Sequence, residues 1–376
     1  MVSSPGGQPL ADGAPGGPIV GRGPASIAAV MRSPLARAAA IGIAARGMTL
    51  VVLAIVYLIE PVTHTRIGPF WSRPFAIWDG SWYVGIAMTG YHTTPAPLPG
   101  PASLYDIAFF PAWPAVIRLV SLGGLLPPGI MAGITANVLF VVACPLVYRC
   151  LAPRIGPESA MWGVALLAFS PAAYVFSLAY SESLFLVLAA VGLTSPHVVT
   201  LFVAGLTRIP GSLVGVGAAV DSLVAGDRRR AALWLGTSAL AFGTWFVVAG
   251  LIMGRPDGYL LGTPSWDASL GMDFGPLTLV RNLGGPAVAA FLLMLLLGCV
   301  VIARRAPGPV AFAVALIAVA FVLGRWDSMP RFTVCAFPAF AGLAYAVPRL
   351  RWVLLVGFAV IQVALIVFIV NGPGGP

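Results

Sequence analysis

Lysine is absent from the 376 residues, so all 21 basic side chains are arginine. A Walker lysine is thereby excluded. Glycine-rich phosphate loops and a GxSxG elbow are missing too, which disfavours ATP-driven and serine-hydrolase chemistry. Charge of either sign is scarce, at 9% of residues against roughly 25% in a soluble domain. Hydrophobic residues make up 59%, and the mean hydropathy is +0.96. This composition is that of an all-α polytopic membrane protein.

The four cysteines, Cys144, Cys150, Cys299 and Cys335, lie in or at the ends of apolar runs with no CxxC spacing. Neither a disulfide framework nor a zinc site follows. Three histidines, His64, His92 and His197, form no HxxH or HExxH, so a metal site would have to be assembled from distant segments. The net charge is +9, but the arginines stand singly or in short clusters between apolar runs. That pattern argues against nucleic-acid binding and for topology signals.

Residues 1–36 are rich in Gly, Pro, Ala and Ser and read as a disordered cytoplasmic tail. No compact charged start precedes the first apolar run, so a signal peptide is not expected. One transmembrane domain is expected over 37–371, with a short tail at 372–376. Apolar runs predict crossings near 41–59, 128–150, 159–179, 231–253, 285–303, 308–324, 333–347 and 352–371. Ser195-Pro196 and Pro210-Gly211 divide 183–225 into three short crossings, which makes about eleven in all. No internal repeat of fixed period is present.

With the N-terminus inside, the cytoplasmic side receives Arg22, Arg32, Arg37, Arg149, Arg154, Arg228, Arg229, Arg230, Arg304, Arg305, Arg349 and Arg351. Three longer outer loops, 60–127, 254–284 and 325–332, then hold Glu60, Asp79, Asp106, Asp257, Asp267, Asp273 and Asp327. The layout requires that 108–124 does not cross. Its two internal prolines and Arg118 suit a segment lying at the interface.

Within "IWDGSWYVGIAMTGYH" (77–92), Asp79 stands among aromatic rings next to the bilayer, where an acid is costly unless paired or hydrated. Trp78, Trp82 and Tyr83 read either as an interfacial belt or as substrate contacts, and 81–90 has the spacing of a short interfacial helix. Glu182 opens an apolar run in "AYSESLFLVL", as a helix-start acid or a site residue. Arg208 in "GLTRIPGSL" lies beside a Pro-Gly break, where a guanidinium can grip a phosphate or snorkel. "RWDSMPRFTVCAFPAF" brings Arg325, Asp327 and Arg331 to neighbouring helix ends; two arginines against one acid leave a positive charge for an anionic ligand.

"WDGSWYVGIAMTGYH", "AFFPAWPAVIRL", "AYSESLFLVL", "GLTRIPGSL" and "RFTVCAFPAF", in this order, resemble the PIG-V-type mannosyltransferases, which are similar to other GT-C glycosyltransferases. The resemblance covers about residues 40–345. It implies a GT-C-like fold and inverting transfer of mannose from a polyprenyl-phosphate donor on the outer face. The acceptor is a lipid or glycan, and the partners include membrane lipids but no nucleic acid. Asp79 matches the acid at the reaction centre and is the implied general base. Inverting transfer also needs cations beside the leaving phosphate, and Arg208 and Arg331, with Arg325, are the candidates for that contact. Trp78, Trp82, Tyr83, Tyr91, His92, Asp106, Glu182 and Asp327 are expected to contact substrate. No cofactor is implied, and a divalent cation stays open. The arginine-, alanine-, glycine- and proline-rich usage without lysine points to a GC-rich bacterial genome and a bacterial plasma membrane. A flippase of lipid-linked sugars stays open as an alternative. So does a non-catalytic prenyl-phosphate-binding scaffold, because 183–225 is shorter than the family's usual block.

Overall fold

A computed structural model describes Met1 and residues 33–59, 75–94, 105–262, 284–322 and 329–371. Arg22, Arg32, Glu60, His64, Asp267, Asp273, Arg325 and Asp327 lie outside the described residues, as do nearly all of 1–36, much of the 60–127 loop and the tail 372–376. Among the described residues all regular structure is helical.

Helix α1 (Pro34–Ile59) starts ahead of the expected boundary at residue 37. Ser33 and Pro34 form the start signal: Ser33 Oγ accepts from the Ala36 N–H at 3.1 Å, and proline fits a first turn that needs no N–H. Two short helices follow, α2 (Asp79–Thr89) and α3 (Ala112–Val120), the latter continued by a 3-10 turn at Leu122–Gly124. The segment expected not to cross is thus a 9-residue helix that buries Trp113, Pro114 and Ile117. It is tied to α2 by Arg118, whose guanidinium donates to the Ala87 carbonyl at 2.9 Å.

Helix α4 (Pro128–Ile155) is the hub, with α1, α5 (Pro157–Ala168) and α6 (Glu182–Thr194) packed on it. Next come α7 (Val198–Gly205), α8 (Leu213–Val224) and α9 (Arg228–Met253). The chain continues with α10 (Gly284–Ile302), α11 (Pro307–Val322), α12 (Met329–Thr333), α13 (Phe337–Ala346) and α14 (Arg351–Asn371).

Among the described residues, 4 helices are long and apolar enough to cross a membrane: 34–59, 128–155, 228–253 and 348–368. They make the chain an integral membrane protein. Other apolar helices run 10–17 residues, and at about 1.5 Å per residue such lengths fall short of a hydrocarbon core of about 30 Å. Residues 182–224 do break at the two proline dipeptides, into helices of 13, 8 and 12 residues. Two expected crossings are not continuous. The run 159–179 is α5, a turn at Ser170-Pro171 and a 3-10 helix over Ala173–Ser177; Pro171 has no N–H for the ladder and disfavours the helical conformation at Ser170. The run 333–347 is α13 preceded by a break after Thr333, with Pro338 in its first turn.

Helix α13 is wedged between α10 and α5. A Cβ on Gly342 would stand 1.9 Å from the Gly298 carbonyl oxygen, and one on Gly163 would stand 2.6 Å from Ala341 Cβ. Small residues let these backbones meet, the usual device of helix packing in lipid. Overpacking typically costs about 1–3 kcal/mol, and a backbone carbonyl cannot rotate aside. Gly342→Leu therefore lowers the thermal unfolding midpoint in detergent. Gly47→Leu, whose Cβ meets nothing within 4 Å, leaves it in place; equal midpoints would refute the wedge.

Candidate functional site

Asp79 is the first residue of α2, so its carboxylate faces the positive end of the helix. The chain turns into this helix at Trp78, which has φ 51, a conformation uncommon outside glycine. The turn is held by Gly80 N–H donating to the Ile77 carbonyl at 2.9 Å and by Ser81 Oγ donating to the Trp78 carbonyl at 2.7 Å. Residue 80 packs closely: a Cβ there would lie 3.2 Å from Ala179 Cβ and 3.4 Å from a Tyr180 ring carbon, a tight fit that favours glycine.

The neighbouring segment, 178–181, turns between the 3-10 helix and α6 and is stitched in place from both sides. Ala179 N–H donates to the Phe75 carbonyl at 2.9 Å, and its own carbonyl accepts from Trp113 Nε1 at 2.9 Å. Tyr83 Oη and Ser181 Oγ are hydrogen-bonded at 3.1 Å. Burial pushes the Tyr83 phenol above its ordinary range, with Arg208 pulling the other way; it stays protonated and fit to donate.

Glu182, the first residue of α6, has none of its side chain exposed. Its Oε1 accepts from Arg331 Nε at 3.0 Å and pairs with an Arg208 terminal nitrogen at 2.9 Å. Arg208 sits in extended backbone just before the Ile209–Ser212 3-10 turn. Gly211 permits that turn: a Cβ on it would come within 1.7 Å of the Ala204 carbonyl oxygen. The two guanidiniums share ring contacts, Arg331 with Tyr180 at 4.4 Å and both with Phe332 at 5.6 and 5.8 Å. A terminal nitrogen of Arg331 donates to Asp79 Oδ2. Arg331 therefore bridges Asp79 and Glu182, residues from three distant parts of the sequence.

Two carboxylates and two guanidiniums make this cluster formally neutral. Of the trio expected to carry a surplus positive charge, Arg325 and Asp327 lie outside the described residues, and Arg331 is engaged by Asp79 and Glu182. The four members differ in access. Side-chain exposure is 25% for Asp79, 10% for Arg208, 6% for Arg331 and 0% for Glu182. Asp79 is the most exposed member, and Glu182 is the buried anchor.

The remaining expected residues sit elsewhere. Tyr91, His92 and Asp106 gather beyond the other end of α2, about 16 Å along an 11-residue helix. There Asp106, nearly buried, accepts from the His92 N–H and lies 2.7 Å from His92 Nδ1, while Tyr91 Oη donates to the Phe109 carbonyl at 3.0 Å. Trp82 stacks on Phe109 with centroids 5.9 Å apart, and Tyr83 meets the same ring edge-on at 4.9 Å. Trp78 packs on the main core. These rings pack inward. No group of three His, Cys, Asp or Glu side chains converges among the described residues.

Two participants escaped the sequence reading. Tyr180, the ring beneath Arg331, was signalled only by its place two residues before Glu182. Arg46 lies inside α1 with 3% of its surface exposed and, among the described residues, no carboxylate partner. It donates to the Ala173 carbonyl at 2.7 Å, Ser177 Oγ at 2.9 Å and the Ala168 carbonyl at 3.2 Å, and its guanidinium lies 4.3 Å from the Phe140 ring. It thus satisfies the carbonyls freed where α5 ends, upstream of Glu182. A lone arginine within an apolar run was the available signal.

No family model matches the chain, and no curated protein matches it. A crystal structure of the Archaeoglobus fulgidus oligosaccharyltransferase in complex with Zn and sulfate is similar in backbone, with a TM-score of 0.49 and 13% identity over 92% of this chain. The chain spans about half, 54%, of that protein's length.

Removing one partner from a buried ion pair typically costs about 3–5 kcal/mol. Glu182→Gln leaves two buried guanidiniums facing a neutral amide and lowers the unfolding midpoint in detergent strongly. Asp79→Asn, at the accessible edge, lowers it less. A larger loss for Asp79→Asn would reverse the assignment of anchor and open member.

Proposed function

We propose that the chain is a GT-C-type, PIG-V-like glycosyltransferase of a bacterial plasma membrane. It transfers mannose with inversion from polyprenyl-phosphate mannose to a lipid or glycan acceptor at the outer face. The observation that carries this reading is the bridge made by Arg331 between the partly open Asp79 and the buried Glu182. Inverting transfer needs a base within hydrogen-bond reach of the acceptor hydroxyl and a cation beside the leaving phosphate, and the bridge holds one of each side by side.

In this mechanism Asp79 takes the acceptor proton, the acceptor oxygen attacks the anomeric carbon, and the bond from that carbon to the phosphate oxygen breaks with its electrons. Protonation of Asp79 cancels the charge that held Arg331. Its guanidinium then has a hydrogen-bonding edge free for the phosphate, while Glu182 keeps both Arg331 and Arg208 aligned. Arg325 and Asp327, close to Arg331 in sequence, complete the substrate contacts. About eleven crossings, with the N-terminus inside, set this cluster at the outer headgroup level. The arginines that open α9 and those between α10 and α11 then lie inside.

The purified chain, given labelled polyprenyl-phosphate mannose and a membrane lipid extract, transfers label, and Asp79→Asn lowers the rate by about 10²–10⁴-fold with donor binding retained. Equal rates would remove Asp79 from this role. Donor binding without transfer in the wild type would favour a non-catalytic scaffold. Orientation has a separate test: the native cysteines are all buried, so Leu122→Cys, at 60% exposure, reacts with an impermeant maleimide added outside cells, and Arg229→Cys does not. The reverse pattern would invert the topology.

A further inference from the structure

We infer that the groove bounded by α1, α5 and α14 binds an anionic phospholipid, with an acyl chain in the groove and the phosphate at Arg37. The groove encloses about 530 Å³, within the range of built ligand cavities. Its walls include Ala44, Tyr148, Trp162 and Trp352, and its mouth holds Arg37 and Glu158. This is a different place from the Asp79 cluster. The start of α4 lies against Phe75 at Gly133, and Tyr148 is about 22 Å farther along the same helix.

The groove opens onto surface made for hydrocarbon. On α1, Leu35 and Ile43 are 40% and 60% exposed, and on α14, Val353 and Val356 are 67% and 59% exposed. Whatever fills an apolar groove on that surface comes from the surrounding leaflet. Trp162 and Trp352 meet edge to face at 4.9 Å, and tryptophan favours the level where chains give way to headgroups.

Charge at the mouth selects among lipids. Glu158 is matched by Arg351, whose guanidinium donates to Oε1 at 2.5 Å and is otherwise satisfied by the Ala344 carbonyl and Ser159 Oγ. Arg37 is exposed and has no side-chain partner among the described residues. One uncompensated guanidinium therefore stands over an apolar slot, the arrangement by which basic pockets between membrane helices hold anionic headgroups.

The test is native mass spectrometry of the full chain in detergent, titrated with phosphatidylglycerol, phosphatidylethanolamine or phosphatidylcholine of identical chains. Phosphatidylglycerol is retained preferentially. Arg37→Gln weakens its retention about five-fold, the effect of one arginine near a lipid surface, and Arg37→Lys keeps the preference. Ala44→Phe, which fills the groove from its exposed rim, lowers retention of all three lipids. The proposal is overturned if phosphatidylglycerol is held no better than the other two, if Arg37→Gln keeps the wild-type preference, or if Ala44→Phe changes nothing.

Discussion

A carboxylate withdrawn wholly from solvent stays ionised only where cations meet it, and Glu182 meets two. Desolvation of a charge in a low-dielectric interior is costly enough that each partner must arrive in good geometry. Arg331 and Arg208 approach the same carboxylate oxygen, and the tyrosine and phenylalanine faces of Tyr180 and Phe332 accept the guanidinium planes. The positions of α6, α12 and the Arg208 turn relative to one another are fixed by this requirement. The accessible end of the cluster, Asp79, takes its place from the second hand of Arg331.

All four charged residues stand at breaks in helical structure. Asp79 follows a residue at positive φ, and Glu182 follows a run of turns. Arg208 precedes a proline-containing turn, and Arg331 lies in a helix of five residues ahead of α13. A continuous crossing would carry such side chains past one another at separate depths. Interrupted helices let chain ends converge at one depth, and the backbone groups freed by each interruption need partners. Arg46, Asn137 and Trp113 supply them: Asn137 pairs with Ser177 through its side-chain oxygen at 2.8 Å, and Trp113 donates to Ala179. The mid-membrane arginine thus belongs to the same construction as the site, although it touches none of the four.

Formal neutrality also shapes the chemistry the cluster can perform. Among the described residues both arginines of the cluster are matched by carboxylates, which leaves them no surplus of positive charge. A proton reaching Asp79 creates that surplus beside Arg331. In the proposed mechanism, base and electrophile would thereby be coupled through one guanidinium.

The sequence by itself determined the membrane class, the all-helical fold and the residues with chemical potential. Each of these rests on local signals: apolar length, proline and glycine breaks, and ionisable groups in places where burial is expensive. Asp79, Glu182, Arg208 and Arg331 were legible for that reason, and so were the breaks at 195–196 and 210–211. Tertiary structure decided who pairs with whom. Spacing along the chain holds no record that Arg331 reaches both Asp79 and Glu182 or that His92 and Asp106 gather at the far end of α2. Nor could it show that 159–179 and 333–347 are interrupted, since an apolar run reads alike whether straight or broken. Ion pairs and packed rings are formed between segments far apart in sequence, and their geometry exists only once the helices have met.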